Sequence, residues 1–202
     1  LFEVSHQHGH VAAALWSAGR LDLMDVPHLA WHLSGATTEL LLIEPEGKNV
    51  KATKIGGTTD ISAGQLIDRT GQLLELPFPS GKHLDALSKT ATDKSLFKVK
   101  CPGLEFSLSG VQNKVEQYHR DHGEPAETAA FALRCVAHAV VTATRNAQKQ
   151  YPGLEVVFSG GVASNSMLRE LTKPLKPVFA LPQYSTDNAM GVAILAHRLL
   201  EG

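Results

Sequence analysis

The sequence is short of cysteine, of net charge and of long apolar runs, and each shortage removes a class of protein. Cys101 and Cys135 are its 2 cysteines. That is too few for a disulfide framework or a cysteine-type zinc site, so two reduced, mostly buried thiols are expected. Lys and Arg total 19 against 20 Asp and Glu, giving a formal net charge of -1. The overall charge therefore announces no nucleic acid, and any RNA would be handled through a local patch or through partner proteins. No apolar run reaches membrane-spanning length, and no basic-then-apolar leader is visible. A cytoplasmic protein with no membrane partner is expected. Neither a repeat nor a low-complexity segment occurs. What remains is 43% hydrophobic and 19% charged over 202 residues, the balance of a globular chain able to bury a real core.

Apolar periodicity alternates between helix and strand. Residues 6–17 have helical spacing. Residues 27–33, 39–44 and 49–55 read as three strands of a meander, with a small-residue loop at 34–38 and a turn at 45–47. A helix over 61–76 follows, capped by Thr59 or Asp60. Pro77, Pro79 and Gly81 end it and open a short helix bearing Leu84 and Leu87. Residues 91–108 read as irregular or as a short hairpin. Helices are expected over 111–122, 125–150 and 164–171, strands over 155–158 and 178–181, and a last helix runs to Leu200 after Thr186-Asp187-Asn188. Strand and helix in alternation predict an α/β fold. The opening residues 2–5 read as the tail of a strand, so an upstream segment and an exposed sheet edge near Val4 are expected.

Four constellations carry possible chemistry. His6 and His10 share a helix face and suit one metal ion, or are chance histidines in a chain that has 10. Gln7 stands where a zinc protease needs a glutamate base, which argues against proteolysis. The Ser34-Gly35-Ala36-Thr37-Thr38 loop is either a phosphate cradle or an ordinary hairpin turn. Asp60, Gly64 and Asp68 fall at four-residue spacing. They are a solvated acidic face, or Asp68 meets a ribose and Gly64 admits a ligand or a second helix. Ser159-Gly160-Gly161 leads into a helix N-terminus, a ready anion site. Asp187 either caps the last helix or reaches a metal. Two lysine clusters, Lys48/Lys51/Lys54 and Lys94/Lys98/Lys100, read first as solvated faces and only second as contacts for RNA.

The order of these motifs resembles the TsaD family, once called O-sialoglycoprotein endopeptidase or glycoprotease. The resemblance runs over nearly the whole chain and is strongest at 56–81 and 159–193. It implies an actin-like ATPase fold of the ribonuclease-H-like kind, with a partial first lobe and a second lobe. The expected division is 1–55 for the remainder of the first lobe, 56–152 for a helical insert and inter-lobe helices, and 153–202 for the core of the second lobe. It implies one divalent ion, iron or zinc, on His6, His10 and Asp187. It further implies an adenine nucleotide or acyl-adenylate at Ser34, Gly35, Ala36, Thr37, Thr38, Asp68, Gly81 and Asn165. The implied reaction passes a threonylcarbamoyl group from threonylcarbamoyl-adenylate to a tRNA adenosine, with a TsaB-like partner or self-association.

Departures from the family pattern give the alternatives. Ala36 and Thr37 replace a glycine and a histidine, Ser80 replaces a glycine, and Ile61 and Gln65 replace acidic residues. A divergent paralogue is expected. Its alternatives are a nucleotide-binding subunit or scaffold that has lost transfer activity and, against Gln7, a metalloprotease.

Overall fold

A computed structural model describes residues 6–181, 184 and 189–200. The strands are β1 (His28–Leu33), β2 (Thr38–Glu46), β3 (Asn49–Thr58), β4 (Glu105–Phe106), β5 (Val156–Ser159) and β6 (Val178–Phe179). They form one six-stranded sheet in the order β4-β3-β2-β1-β5-β6. β1 pairs antiparallel with β2 and parallel with β5, which in turn runs parallel with β6. Strands from the first and last of the three expected segments thus share a single sheet.

Seven helices are described: α1 (His6–Ser17), α2 (Ala63–Leu73), α3 (Gly81–Ser88), α4 (Ser109–His122), α5 (Pro125–Gln150), α6 (Ser166–Thr172) and α7 (Ala189–Leu200). They cover both faces of the sheet, and the period-two alternation of the strands divides the core accordingly. Leu29, Trp31 and Leu33 of β1 join Phe158 of β5 and the apolar side of α5 in the larger core. Ala30, Leu41, Ile43 and Val157 turn the other way, onto Val11, Ala14 and Leu15 of α1 and Leu195 of α7. Because both faces are covered, β1 is buried almost throughout rather than alternately exposed.

α5 spans 26 residues and is long and apolar enough to cross a membrane, contrary to the expectation that no run would be. It is instead the central core helix, with 72% of its apolar window buried. Its alanines let it lie close on the sheet, where Trp31 Nε1 donates to Thr144 Oγ1 at 2.8 Å. Burying a tryptophan is worth a few kcal/mol by area, and this hydrogen bond removes the cost of hiding its N–H.

Most boundaries follow the sequence expectation, and the departures have local causes. α2 is capped by Ser62, not by Thr59 or Asp60. Ser62 Oγ accepts from Gln65 N and Gln65 Oε1 accepts from Ser62 N, a reciprocal capping box. α2 stops at Leu73 because Glu75 takes a left-handed φ of 56°. Within 91–108, Glu105–Phe106 adds parallel to β3 and no hairpin forms. The expected edge at Val4 lies outside the described residues.

α1 and α7 cross where both lack a side chain. A Cβ on Gly191 would lie 1.7 Å from the Gly9 carbonyl oxygen. No rotamer relieves a clash with backbone, so Gly191→Ala must push the two helices apart. Its expected cost is about 2–3 kcal/mol despite alanine's better helix propensity. Val192→Ala on the same helix is the control, and thermal or urea unfolding reads the difference.

Asp60 leaves the α2 face and ties two elements together. It accepts from Ser107 Oγ (2.5 Å), Ser109 Oγ (2.6 Å) and the amide of Leu108 (2.8 Å), at the N-terminus of α4. Partial burial works against the charge, but these hydrogen bonds prevail and hold its carboxyl well below the usual carboxylate range. A depressed folded pKa stabilises above the unfolded value and is lost as pH falls through the folded one. The stability gap between wild type and Asp60→Asn should therefore be full at pH 6 and shrink below about pH 4. Unfolding midpoints across that range test it.

Candidate functional site

The carboxyl ends of the parallel strands β1 and β5 open onto a cavity of about 630 Å³. In open α/β sheets ligands gather at such strand ends. Gly35 contributes from the loop after β1. Gly64, Ile67 and Asp68 contribute from α2, and Gly161, Val162, Ser164 and Asn165 from the turn between β5 and α6. Pro79, Gly81, Lys82, His83 and Asp85 supply the wall at the start of α3.

Of the eight residues expected to meet a nucleotide, Gly35, Asp68, Gly81 and Asn165 line this cavity, and Ser34, Ala36, Thr37 and Thr38 are not among its lining. The loop holding those four is a closed hairpin turn. Ser34 N donates to Thr37 O at 2.8 Å, and Thr37 N to Ser34 Oγ at 3.0 Å. The turn is then fastened to α2. Thr38, buried at 1% exposure, accepts from Ala63 N at 2.8 Å, and Ser62 Oγ donates to the Gly35 carbonyl at 2.6 Å. Gly64 is explained by the same contact. A Cβ there would meet Gly35 Cα at 2.4 Å and Ser34 O at 2.5 Å. The close neighbour is this loop's backbone rather than a second helix, and Gly64 also lines the cavity.

The polar groups of the cavity are partly committed to holding its walls. Asp68 Oδ1 accepts from Ser80 N at 2.9 Å, which fixes the Pro79–Gly81 turn against α2. Ser80 itself fits because Gly71 opposite has no Cβ. Asn165 Oδ1 caps α6 by accepting from Leu168 N at 3.0 Å, while its Nδ2 donates to Asp85 Oδ1 at 2.7 Å. Asp85 also accepts from the amide (2.9 Å) and hydroxyl (2.8 Å) of Ser166. It therefore joins α3 to the start of α6.

Asp85, Lys82 and His83 escaped the sequence reading. Gly81 and Asp85 stand four apart on α3, so helical spacing from Gly81 was the available signal for Asp85. Its partners Asn165 and Ser166 are distant in sequence, and nothing local announces them.

On the opposite face of β1, His32 turns toward α1. Its ring stacks on His10 with centroids 4.7 Å apart, and its Nδ1 lies 3.4 Å from Ser159 Oγ. Ser159 in turn donates to the Trp31 carbonyl at 2.9 Å. The side chain of His6 and all of Asp187 lie outside what the structure describes. Among the described residues no three His, Cys, Asp or Glu side chains gather as a metal site. The Gly9–Gly191 crossing does bring the helix that carries His10 against α7, which begins two residues after Asp187 in the sequence.

Comparison with known proteins fits this architecture. Solved structures similar in fold include a full-length HypF in a phosphate- and nucleotide-bound form (TM-score 0.75, 15% identity, 100% of this chain and 36% of that one). HypF from T. kodakarensis gives 0.73 at 14% identity, over 99% of this chain and 37% of that one. Component A of (R)-2-hydroxyglutaryl-CoA dehydratase from Acidaminococcus fermentans gives 0.62 at 18%, over 97% and 70%. These likenesses establish the fold, the actin-like ATPase class. In sequence, the Enterococcus faecalis tRNA N6-adenosine threonylcarbamoyltransferase is 35% identical over 84% of this chain and 49% of its own length. The Carboxydothermus hydrogenoformans protein of the same name is 33% identical over 100% of this chain and 62% of its own. The chain thus spans about half to three-fifths of the curated relatives it matches. The family pattern for TsaD, tRNA N6-adenosine threonylcarbamoyltransferase, matches residues 1–194, and the chain belongs to that family.

Proposed function

We propose that this chain carries the nucleotide-binding half of a threonylcarbamoyl transferase, seating an adenine nucleotide or acyl-adenylate in the cavity at the ends of β1 and β5. One observation carries the reading. Four residues from separate segments, Gly35, Asp68, Gly81 and Asn165, converge on one cavity of about 630 Å³, a size suited to a nucleotide. Asp68 is the residue for the ribose hydroxyls, since one of its oxygens is already fixed by Ser80 N and the carboxylate is thereby oriented. Asp68→Asn keeps an acceptor for Ser80 N but loses the charge. It should weaken adenine-nucleotide binding about tenfold, a charge-assisted hydrogen bond being worth roughly 1.5–3 kcal/mol. Calorimetric titration measures this, and unchanged affinity would remove Asp68 from the site.

One divalent ion, iron or zinc, is proposed on His6, His10 and Asp187. Two imidazoles and a carboxylate suit either metal, and the α1–α7 crossing at Gly9 and Gly191 supports bringing the two sequence regions together. When bound, such an ion supplies a Lewis acid for the carbonyl of the mixed anhydride. Protein purified without chelator should hold close to one equivalent of iron or zinc by elemental analysis. His10→Ala should lose it. Metal-free wild type would sink the triad.

The acceptor would be a tRNA adenosine, engaged with partner proteins such as a TsaB-like subunit or with a second copy of this chain. A cytoplasmic location goes with that role. A second reading, a nucleotide-binding scaffold without transfer activity, is favoured by the Ser34–Thr38 turn. The family's loop histidine is Thr37 here, and neither it nor the exposed Ala36 is among the residues lining the cavity. Transfer of labelled threonylcarbamoyl to tRNA by wild type separates the two readings. Proteolysis is no part of either: the relatives quoted are transferases, and Gln7 stands where a base is needed.

A further inference from the structure

The two lysine clusters differ in their surroundings. Lys48, Lys51 and Lys54 lie on or beside the β2–β3 hairpin, whose strands also carry Glu39, Glu44 and Glu46. Lys54 pairs with Glu39 at 3.2 Å, and Lys51 stands opposite Glu44 across the ladder. Lys94, Lys98 and Lys100 lie in the irregular segment 91–104, which packs along α5, and no acidic residue occurs between positions 94 and 104. α5 likewise carries no acid after Glu127. It presents Arg134, His138, Arg145 and Lys149 at intervals of four, seven and four residues, which is one helix face. At 1.5 Å per residue that stripe is about 22 Å long.

Contacts place the two elements side by side. Arg134 Nε donates to the Ser95 carbonyl at 3.0 Å, and Asn146 Nδ2 to the Gly103 carbonyl at 2.7 Å. Lys114 of α4 lies 5.8 Å from the centre of the Phe97 ring. Lys98 and Arg145 are both near enough to His138 to oppose its protonation, adding to the effect of burial. None of Lys94, Lys98, Lys100, Lys114, Arg134, Arg145 or Lys149 takes part in an ion pair among the described residues. The acids bordering this face are hydrogen-bonded to other groups, and Asp93 also lies near enough to Arg134 for that charge to favour its carboxylate. Asp93 accepts from Tyr118 and Ser95, Glu127 from the amides of Thr92 and Asp93, and Glu116 from Gln112. Glu105, at the β4 end, is the exposed exception.

Like charges gathered without counter-ions destabilise a fold unless a polyanion answers them. In a chain of net charge -1, seven of the 19 Lys and Arg residues gather on or beside this face. We infer that the surface formed by segment 94–103 and the outer face of α5 docks the sugar-phosphate backbone of RNA. Lys98 and Arg145 stand at its centre, and both are exposed. The contacts are to phosphates, so they position an RNA without reading its sequence. This inference rests on the proposed tRNA-directed function and adds where the RNA lies.

The test is fluorescence anisotropy with labelled tRNA over a series of salt concentrations. The full chain is compared with Lys98→Glu/Arg145→Glu and with Lys51→Glu on the β2–β3 hairpin. The double variant should bind tRNA at least about tenfold more weakly and lower the salt slope by about two, one for each lost phosphate contact. The hairpin variant should bind as wild type does. Adenine-nucleotide affinity and thermal stability should be unchanged in both, so a failure of the cavity reading shows separately from a failure of this one. Wild-type tRNA affinity and slope in the double variant would overturn the inference. So would wild type that binds the nucleotide but no RNA. Binding to vesicles containing phosphatidylserine that tRNA does not displace would assign the face to lipid instead.

Discussion

Strand β1 is the constraint on which the site depends. It pairs parallel with β5 on one side and antiparallel with β2 on the other, and apart from His28 and His32 its side chains are apolar and buried. Trp31 anchors it from one side through Thr144 of α5. From its edge, Ser159 of β5 donates to the Trp31 carbonyl. With β1 held at that point, Leu33 and the turn after it must emerge beside α2. His32, one residue earlier and on the opposite face, must meet α1. A one-residue slip of β1 would exchange the two faces and dismantle both arrangements at once.

The elements were legible where one segment carries its own signal. α5 runs over Pro125–Gln150 because proline suits a first helical turn, the alanine-rich stretch has high helix propensity, and Tyr151-Pro152-Gly153 cannot continue it. Gly35, Asp68, Gly81 and Asn165 were legible through family resemblance and share a cavity. Illegible features were those decided by a distant partner. Asp60 has the residue type and position of a cap for α2, yet its acceptor capacity is taken by Ser107, Leu108 and Ser109. The short turn that brings Ser62 to the helix start left the cap to Ser62. Gly64 is costly inside a helix by local rules, and the close approach of the Ser34–Gly35 backbone requires it. Asp85 is an ordinary helix residue until Asn165 and Ser166 arrive from the far end of the chain.

The helix N-termini around the cavity constrain what it can recognise. Such termini bind phosphate when their first amides are unpaired. Here several are answered by side chains. Ala63 N of α2 goes to Thr38, Gln65 N to Ser62, Ser166 N of α6 to Asp85 and Leu168 N to Asn165. Ser80 N, at the cap of α3, goes to Asp68. The Ser-Gly loop and the Ser-Gly-Gly turn each read as an anion cradle in isolation, and these five donors at the neighbouring helix starts go to internal structure instead.

The nucleotide proposed for this cavity would draw on its shape and its side chains. Ile67, Val162 and the glycines offer an apolar slot for a flat base, and Asp68 offers a fixed acceptor for hydroxyls. Compensation for phosphate charge would fall to Lys82 and His83, which line the wall at the start of α3. Those two follow directly on Ser80 and Gly81. The Ser34–Thr38 turn gives this cavity no charged side chain, while the α3 wall gives it a lysine and a histidine. A nucleotide whose phosphates lean toward α3 rather than toward the Ser34–Thr38 turn is the arrangement that this charge distribution favours.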